Sequence, residues 1–196
     1  MGDIAILKEM FQDTAIVSLE ECKHKKQVTL EEPGPPKYEV TLYEMPNENE
    51  VIIIKADAFK SPNTVFKGKH GECRRSDFVI IADWKNFKVI VFIEMKRRQA
   101  ENSYIITQIK GSECFVAYCR EIGRKFWNKP DFLSNYEYRF VSTRDISISK
   151  SSTRDKTKQQ EINNTPEKMR KLSSRDYLQF YKLVYPDIYE YKNNRF

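Results

Sequence analysis

Three residues carry side chains whose types and spacing could act together: Asp77, Glu94 and Lys96, within "SDFVIIADWKNFKVIVFIEMKRRQ", Ser76 to Gln99. Two apolar runs there flank a hinge, "DWKNF", short and rich in turn formers, which makes an antiparallel hairpin. A four-residue turn, Trp84 to Phe87, pairs Asp83 with Lys88, and the same register sets Asp77 directly opposite Glu94. Such partners have Cβ atoms about 4.5 to 5.5 Å apart, and two carboxylates that close repel unless a cation lies between them. Strand side chains alternate, so Glu94 and Lys96 share a face while Met95 turns away. Mg²⁺ takes oxygen ligands at about 2.0 to 2.1 Å and keeps several waters, which two carboxylates and the Met95 carbonyl permit. A water on that ion becomes more acidic, and Lys96 can orient it or stabilise charge building on a phosphate oxygen. Together these parts suit phosphodiester hydrolysis, with Mn²⁺ as a substitute for Mg²⁺.

The elements that must position this set can be read outward from it. Phe78 to Ala82 and Lys88 to Met95 are apolar at nearly every position, the pattern of central strands covered by helices on both sides. A Glu and a Lys two apart on a strand are usually a solvent-facing ion pair worth under about 1 kcal/mol, but a strand apolar on both faces is a poor place for one. Upstream, the pattern predicts a helix around residues 3 to 12. Ala15 to Leu19 and Gln27 to Leu30 follow, as a continued helix or two short strands. After the proline-rich "EEPGPPKYEV" come strands over Tyr38 to Tyr43 and Val51 to Ala56, and the polar, basic loop "KSPNTVFKGKHGECRR" then delivers the chain to Asp77. Downstream, Tyr104 to Ile122 has helical periodicity and ends at Gly123 as a C-cap would, with Gly111 as an unfavourable interior residue. Tyr136 to Ser142 is the next strand; Ser149 to Arg175 reads as a long polar loop, and Tyr177 to Tyr185 as a last helix or strand.

Asp77, then Glu94-Met95-Lys96 at the end of an apolar strand, followed by a helix and another strand, resembles the PD-(D/E)xK nuclease superfamily, which includes restriction endonucleases and RecB-like nucleases. The resemblance covers roughly Val51 to Ser142. It implies a restriction endonuclease-like α/β/α sandwich with a central mixed β-sheet. It also implies metal ligation by Asp77, Glu94 and the Met95 carbonyl, with Lys96 assisting the attacking water. Gln108, on the helix after the motif strand, resembles a glutamine that some RecB-like members place near the active site, although the tyrosine usual four residues later is Ser112 here. Ser76 stands where the motif's proline would be. Many members carry a further acidic residue on an early helix, a role that Glu20 or Glu21 could fill only if that segment is helical.

Arg74, Arg75, Lys96, Arg97 and Arg98 gather at the same end of the hairpin, where Arg74, Arg75 and Arg97 could grip phosphates without reading sequence. The chain of 196 residues has a net charge of +6 and a pI near 9.0, a balance that favours polyanions. Four cysteines without a CxxC pair, and two histidines, speak against structural zinc. His70 and His24 read as exposed, Cys114 and Cys119 as helix packing, Trp84 and Phe87 as turn residues packed on a neighbour. The absence of an apolar run of about 20 residues and of a signal-like N-terminus predicts a soluble, cytoplasmic protein. The division expected is a nuclease-like domain over 1–148 with an N-terminal elaboration, and a polar basic segment with a C-terminal element over 149–196. The expected activity is Mg²⁺-dependent endonucleolytic cleavage, of DNA rather than RNA. The expected setting is restriction or anti-phage defence, as a homodimer, a higher oligomer or a subunit of a defence complex. The competing expectations are a non-catalytic nucleic-acid-binding or assembly subunit, and a hydrolase of small phosphate esters.

Overall fold

In the computed structural model, residues 1–35, 37–98, 100–144, 162–173 and 178–185 are described. Helix α1 (Asp3–Met10) leads into β1 (Glu20–Cys22), β2 (Lys25–Glu32), β3 (Tyr38–Met45) and β4 (Val51–Lys55). The apolar runs form β5 (Phe78–Trp84) and β6 (Phe87–Lys96), followed by α2 (Asn102–Phe126) and β7 (Glu137–Arg144). Last come β8 (Arg170–Ser173), β9 (Leu178–Gln179) and the short α3 (Phe180–Val184).

The β5–β6 turn has both central residues at positive φ, Lys85 at 50° and Asn86 at 63°, which matches the twist of the strands it joins. Asp83 pairs with Lys88 in the ladder and their side chains meet at 3.4 Å, as the hairpin register predicts. These strands occupy the interior of a five-stranded sheet ordered β4-β5-β6-β7-β8, antiparallel through β6 and parallel from β6 to β8. Helix α2 is the crossover that makes β7 parallel to β6, the connection a parallel pair requires.

The expectation of helices on both faces is corrected. One face is covered by α1 and α2, whose Ile4, Leu7, Ile105, Ile109, Phe115 and Val116 pack on Ile52, Val79, Ile81, Ile90 and Phe92. The other face is covered by a second sheet, ordered β1-β2-β3-β9, with α3 at its side. The reason is the period of the apolar residues: Val28 and Leu30, then Tyr38, Val40 and Leu42, are buried at every second position, which makes a one-sided β-ribbon. The segment left open between helix and strands is therefore strand from Glu20 onward, and Ile16 bridges to Ile54.

Two further expectations change. Gly123 lies inside α2 and not after it; a Cβ there would stand 2.1 Å from the Phe132 ring, so the glycine admits the Phe132 side chain against the helix. The expected loop over Ser149 to Arg175 contains β8, a parallel edge strand whose "RKLS" shows no apolar alternation because its ladder to β7 holds it. Of that range, residues 149–161, 174 and 175 lie outside the described residues. The C-terminal pieces join both layers, β8 in the larger sheet and β9 in the smaller. Trp84 and Phe87 pack on Phe180 and Tyr185, with ring centroids 6.2 and 4.8 Å apart. Among the described residues no helix is long and apolar enough to cross a membrane.

Candidate active site

The β5–β6 ladder pairs Phe78 with Ile93, so the next pair outward is Asp77 with Glu94. Asp77 Oδ2 accepts a hydrogen bond from the Met95 backbone N–H at 2.5 Å, which ties the first carboxylate to the strand that carries the second. Glu94 is fully buried, 0% exposed, on the α2 face of the sheet with Ile90 and Phe92. Its Oε1 accepts from Gln108 Nε2 at 2.6 Å and meets Lys96 Nζ at 2.5 Å. Its Oε2 is buried and accepts no hydrogen bond. Glu94 and Lys96 do share a face, while Met95 is buried in the opposite core.

The electrostatics follow from burial. Desolvation and then the neighbouring Glu94 charge push Asp77 up to about 8, against the pull of the Met95 amide and Lys96. Burial likewise raises Glu94, opposed by Lys96 and Gln108. For Lys96, burial acts downward, but the bond to Glu94 and the charges of Glu94 and Asp77 prevail, so the ammonium is held above its ordinary value. The pair of acids is thus short of positive charge: one ammonium serves a buried and a half-buried carboxyl, and one Glu94 oxygen has no partner. A divalent cation fits that deficit, with Asp77, Glu94 and the Met95 carbonyl as its protein donors. Among the described residues no set of three or more His, Cys, Asp and Glu converges to hold a metal, so water would have to complete any coordination shell.

Helix α2 sets this geometry through one face. Gln108 reaches Glu94; one turn on, Ser112 Oγ accepts from the Ser76 N–H at 2.8 Å and lies 2.7 Å from Ser76 Oγ, both residues being fully buried. Between them Gly111 gives the loop ahead of β5 room: a Cβ would stand 1.9 Å from the Arg74 carbonyl oxygen. Ser76 and Ser112 therefore touch each other directly ahead of Asp77.

A cavity of about 480 Å³ opens beside Asp77, lined among others by Asp57, Glu20, Lys55, Thr29 and Phe78. Glu20 belongs to β1, so the early-helix premise for Glu20 or Glu21 fails. Glu20 lines the cavity nonetheless, with Gln27 Nε2 donating to it at 3.1 Å; Glu21 lies 4.0 Å from Lys26 Nζ. Asp57 is the acidic residue that sequence reasoning missed. It sits in the 3-10 turn after β4, is raised by burial, and its charge adds to the upward shift of Asp77. The available signal was the β4–β5 register, which pairs Lys55 with Phe78 and so brings "ADA" alongside Asp77, where the Ala56 N–H donates to the Asp77 carbonyl at 2.9 Å.

The arginines divide. The Arg74 guanidinium lies 4.4 Å from the Tyr104 ring centroid, and Lys96 Nζ lies 5.3 Å from the same ring. Arg75 is half-buried, 5.3 Å from the Phe59 ring. Arg97 turns away to the β2–β3 connection, donating to the carbonyls of Glu32, at 2.9 Å, and Pro33 and lying 3.6 Å from the Glu32 carboxylate. Arg98 is exposed, as are His24 and His70. No protein-family model matches the chain, and neither a curated protein nor a solved structure matches it.

Proposed function

We propose that the protein is a divalent-metal-dependent hydrolase of phosphodiester bonds in nucleic acid, built on a restriction endonuclease-like arrangement, with DNA as the favoured substrate and restriction or defence as its setting. The observation that carries the reading is the buried Glu94 carboxylate beside Asp77, one oxygen held by Lys96 and Gln108 and the other without a partner. Bound there, Mg²⁺ would supply Lewis acidity and an acidified water. Asp77 and Glu94 would hold the ion. Gln108 would fix the Glu94 rotamer, and Lys96, already within reach of Glu94, would orient the attacking water and offset charge on the phosphate. The cavity side of Asp77 is acidic and repels a polyanion, whereas Arg74 and Lys96 flank Tyr104 on the α2 side, so the substrate would approach from there.

The test is incubation of the purified chain with labelled DNA and RNA in Mg²⁺ or in EDTA. Cleavage in Mg²⁺ is expected, with losses of about 10²- to 10³-fold or more in each of Asp77→Ala, Glu94→Ala and Lys96→Ala. Undiminished metal-dependent cleavage in all three folded variants would remove the assignment. The second reading, a non-catalytic binding subunit, draws on the ion pair that Lys96 already makes with Glu94. It requires that calorimetric titration with Mn²⁺ find no saturable site dependent on Asp77.

A further inference from the structure

Segment 59–76 carries five Lys or Arg residues, Lys60, Lys67, Lys69, Arg74 and Arg75, and a single carboxylate, Glu72. Glu72 accepts from the Gly68 and His70 amides at 2.9 Å each, so its charge is engaged by the loop's own backbone. The segment runs back along α2: Phe59 lies 5.1 Å from Phe115 and 6.0 Å from Tyr118, Gly71 abuts Thr107, and Arg74 covers Tyr104. Tyr104 and Tyr118 are fourteen residues apart on the helix, which at 1.5 Å per residue is a track of about 21 Å. Rings of the helix and of the segment are open to solvent: Tyr104 is 42% exposed, Phe66 54% and Tyr118 56%, with Val65, next to Phe66 in the chain, at 77%. Isolated exposed apolar residues are ordinary on a protein surface. Here the segment that packs along α2 carries Phe66, Lys67, Lys69 and Arg74 within nine residues, and Arg74 lies over Tyr104, the ring that Lys96 also approaches.

We propose that this surface binds single-stranded nucleic acid, stacking bases on Tyr104, Phe66 and Tyr118 and holding phosphates through Lys67, Lys69 and Arg74. The proposal deepens the hydrolase reading and rests on it only for what happens next to Lys96. Cationic charge alone would suit any polyanion. The rings choose between forms, because a duplex hides the flat faces of its bases and an unpaired strand offers them. The Arg74 guanidinium over Tyr104 widens that platform, since a planar cation also stacks on a base. Unpaired strand threaded along α2 would then arrive beside Asp77, Glu94 and Lys96.

Fluorescence anisotropy of labelled single-stranded DNA and RNA oligonucleotides, and of the matching duplexes, tests this on the full chain in EDTA, where cleavage plays no part. Single strands of one or both chemistries are expected to bind at least about tenfold more tightly than either duplex. Phe66→Ala and Tyr118→Ala touch none of the three hydrolytic residues and are each expected to weaken that binding by about five- to a hundredfold. The double variant Lys67→Ala/Lys69→Ala is expected to reduce the salt slope by about one or more. Equal or tighter duplex binding, or single-strand binding unchanged within about twofold in both aromatic variants, would overturn the proposal. Ring-dependent binding without any cleavage in Mg²⁺ would support this proposal while overturning the hydrolase reading.

Discussion

At the scale of single residues, the site concentrates a buried acid, Glu94, and a half-buried one, Asp77, around one amine, and its pH dependence follows. The folded-state value of Asp77, about 8, lies above its ordinary 3.8, so the folded state holds a proton that the unfolded state gives up. The associated stability is complete below about pH 4 and is lost as pH rises through about 8. Glu94 is raised for the same reason and acts in the same direction. Urea denaturation in EDTA is therefore expected to show stability falling between pH 5 and pH 9. Asp77→Asn should flatten that fall by about 1 kcal/mol or more, while also abolishing cleavage. A profile unchanged by Asp77→Asn would contradict the burial argument. Gln108 is subject to a different expectation: Gln108→Ala frees the Glu94 rotamer without removing a metal donor. Cleavage should then fall by about 10- to 100-fold, with calorimetric Mn²⁺ titration still finding a site.

At the scale of elements, a strand and a helix are fitted by two small residues. Replacing an interior helical glycine by alanine ordinarily stabilises by about 1 kcal/mol. At Gly111 the sign reverses, because the added Cβ would stand 1.9 Å from the Arg74 carbonyl, a backbone atom that cannot rotate away. Gly111→Ala is expected to destabilise by about 1 to 3 kcal/mol, and to reduce cleavage by displacing the chain that leads into Asp77. Ser112→Ala would leave the buried Ser76 N–H without its acceptor, at a cost of about 1 to 3 kcal/mol; chemical denaturation measures both. The same elements show how far local pattern reaches. The hairpin, its turn and the pairing of Asp83 with Lys88 were legible because strand alternation and turn length fix register within a few residues. Glycine reads locally as a helix end or a weak point, yet Gly111 and Gly123 are each explained by a neighbour outside the helix, Arg74 and Phe132. Strand β8 escaped notice for the converse reason: it is held by β7 and carries no pattern of its own.

At the scale of the whole molecule, the two sheets meet across one core, and the site lies where β5 begins and β6 ends, beside the β2–β3 connection. Arg97 bridges these layers through the Glu32 and Pro33 carbonyls. Arg97→Ala is expected to lower the urea midpoint, with the proposed cleavage by the folded variant reduced by less than about threefold; a larger loss of activity at full stability would return Arg97 to the proposed phosphate-binding surface. What the sequence determined by itself was the hairpin, the shared face of Glu94 and Lys96, and the approach of Asp77 to Glu94, all consequences of a period-two chain turning back on itself. The tertiary structure decided what covers the far side of the sheet, which acidic residue stands behind Asp77, and which arginines remain beside the site. Those outcomes depend on how separately patterned surfaces pack together, and packing brings Asp57, Arg97, Ser76 and Ser112 to partners that no local spacing specifies.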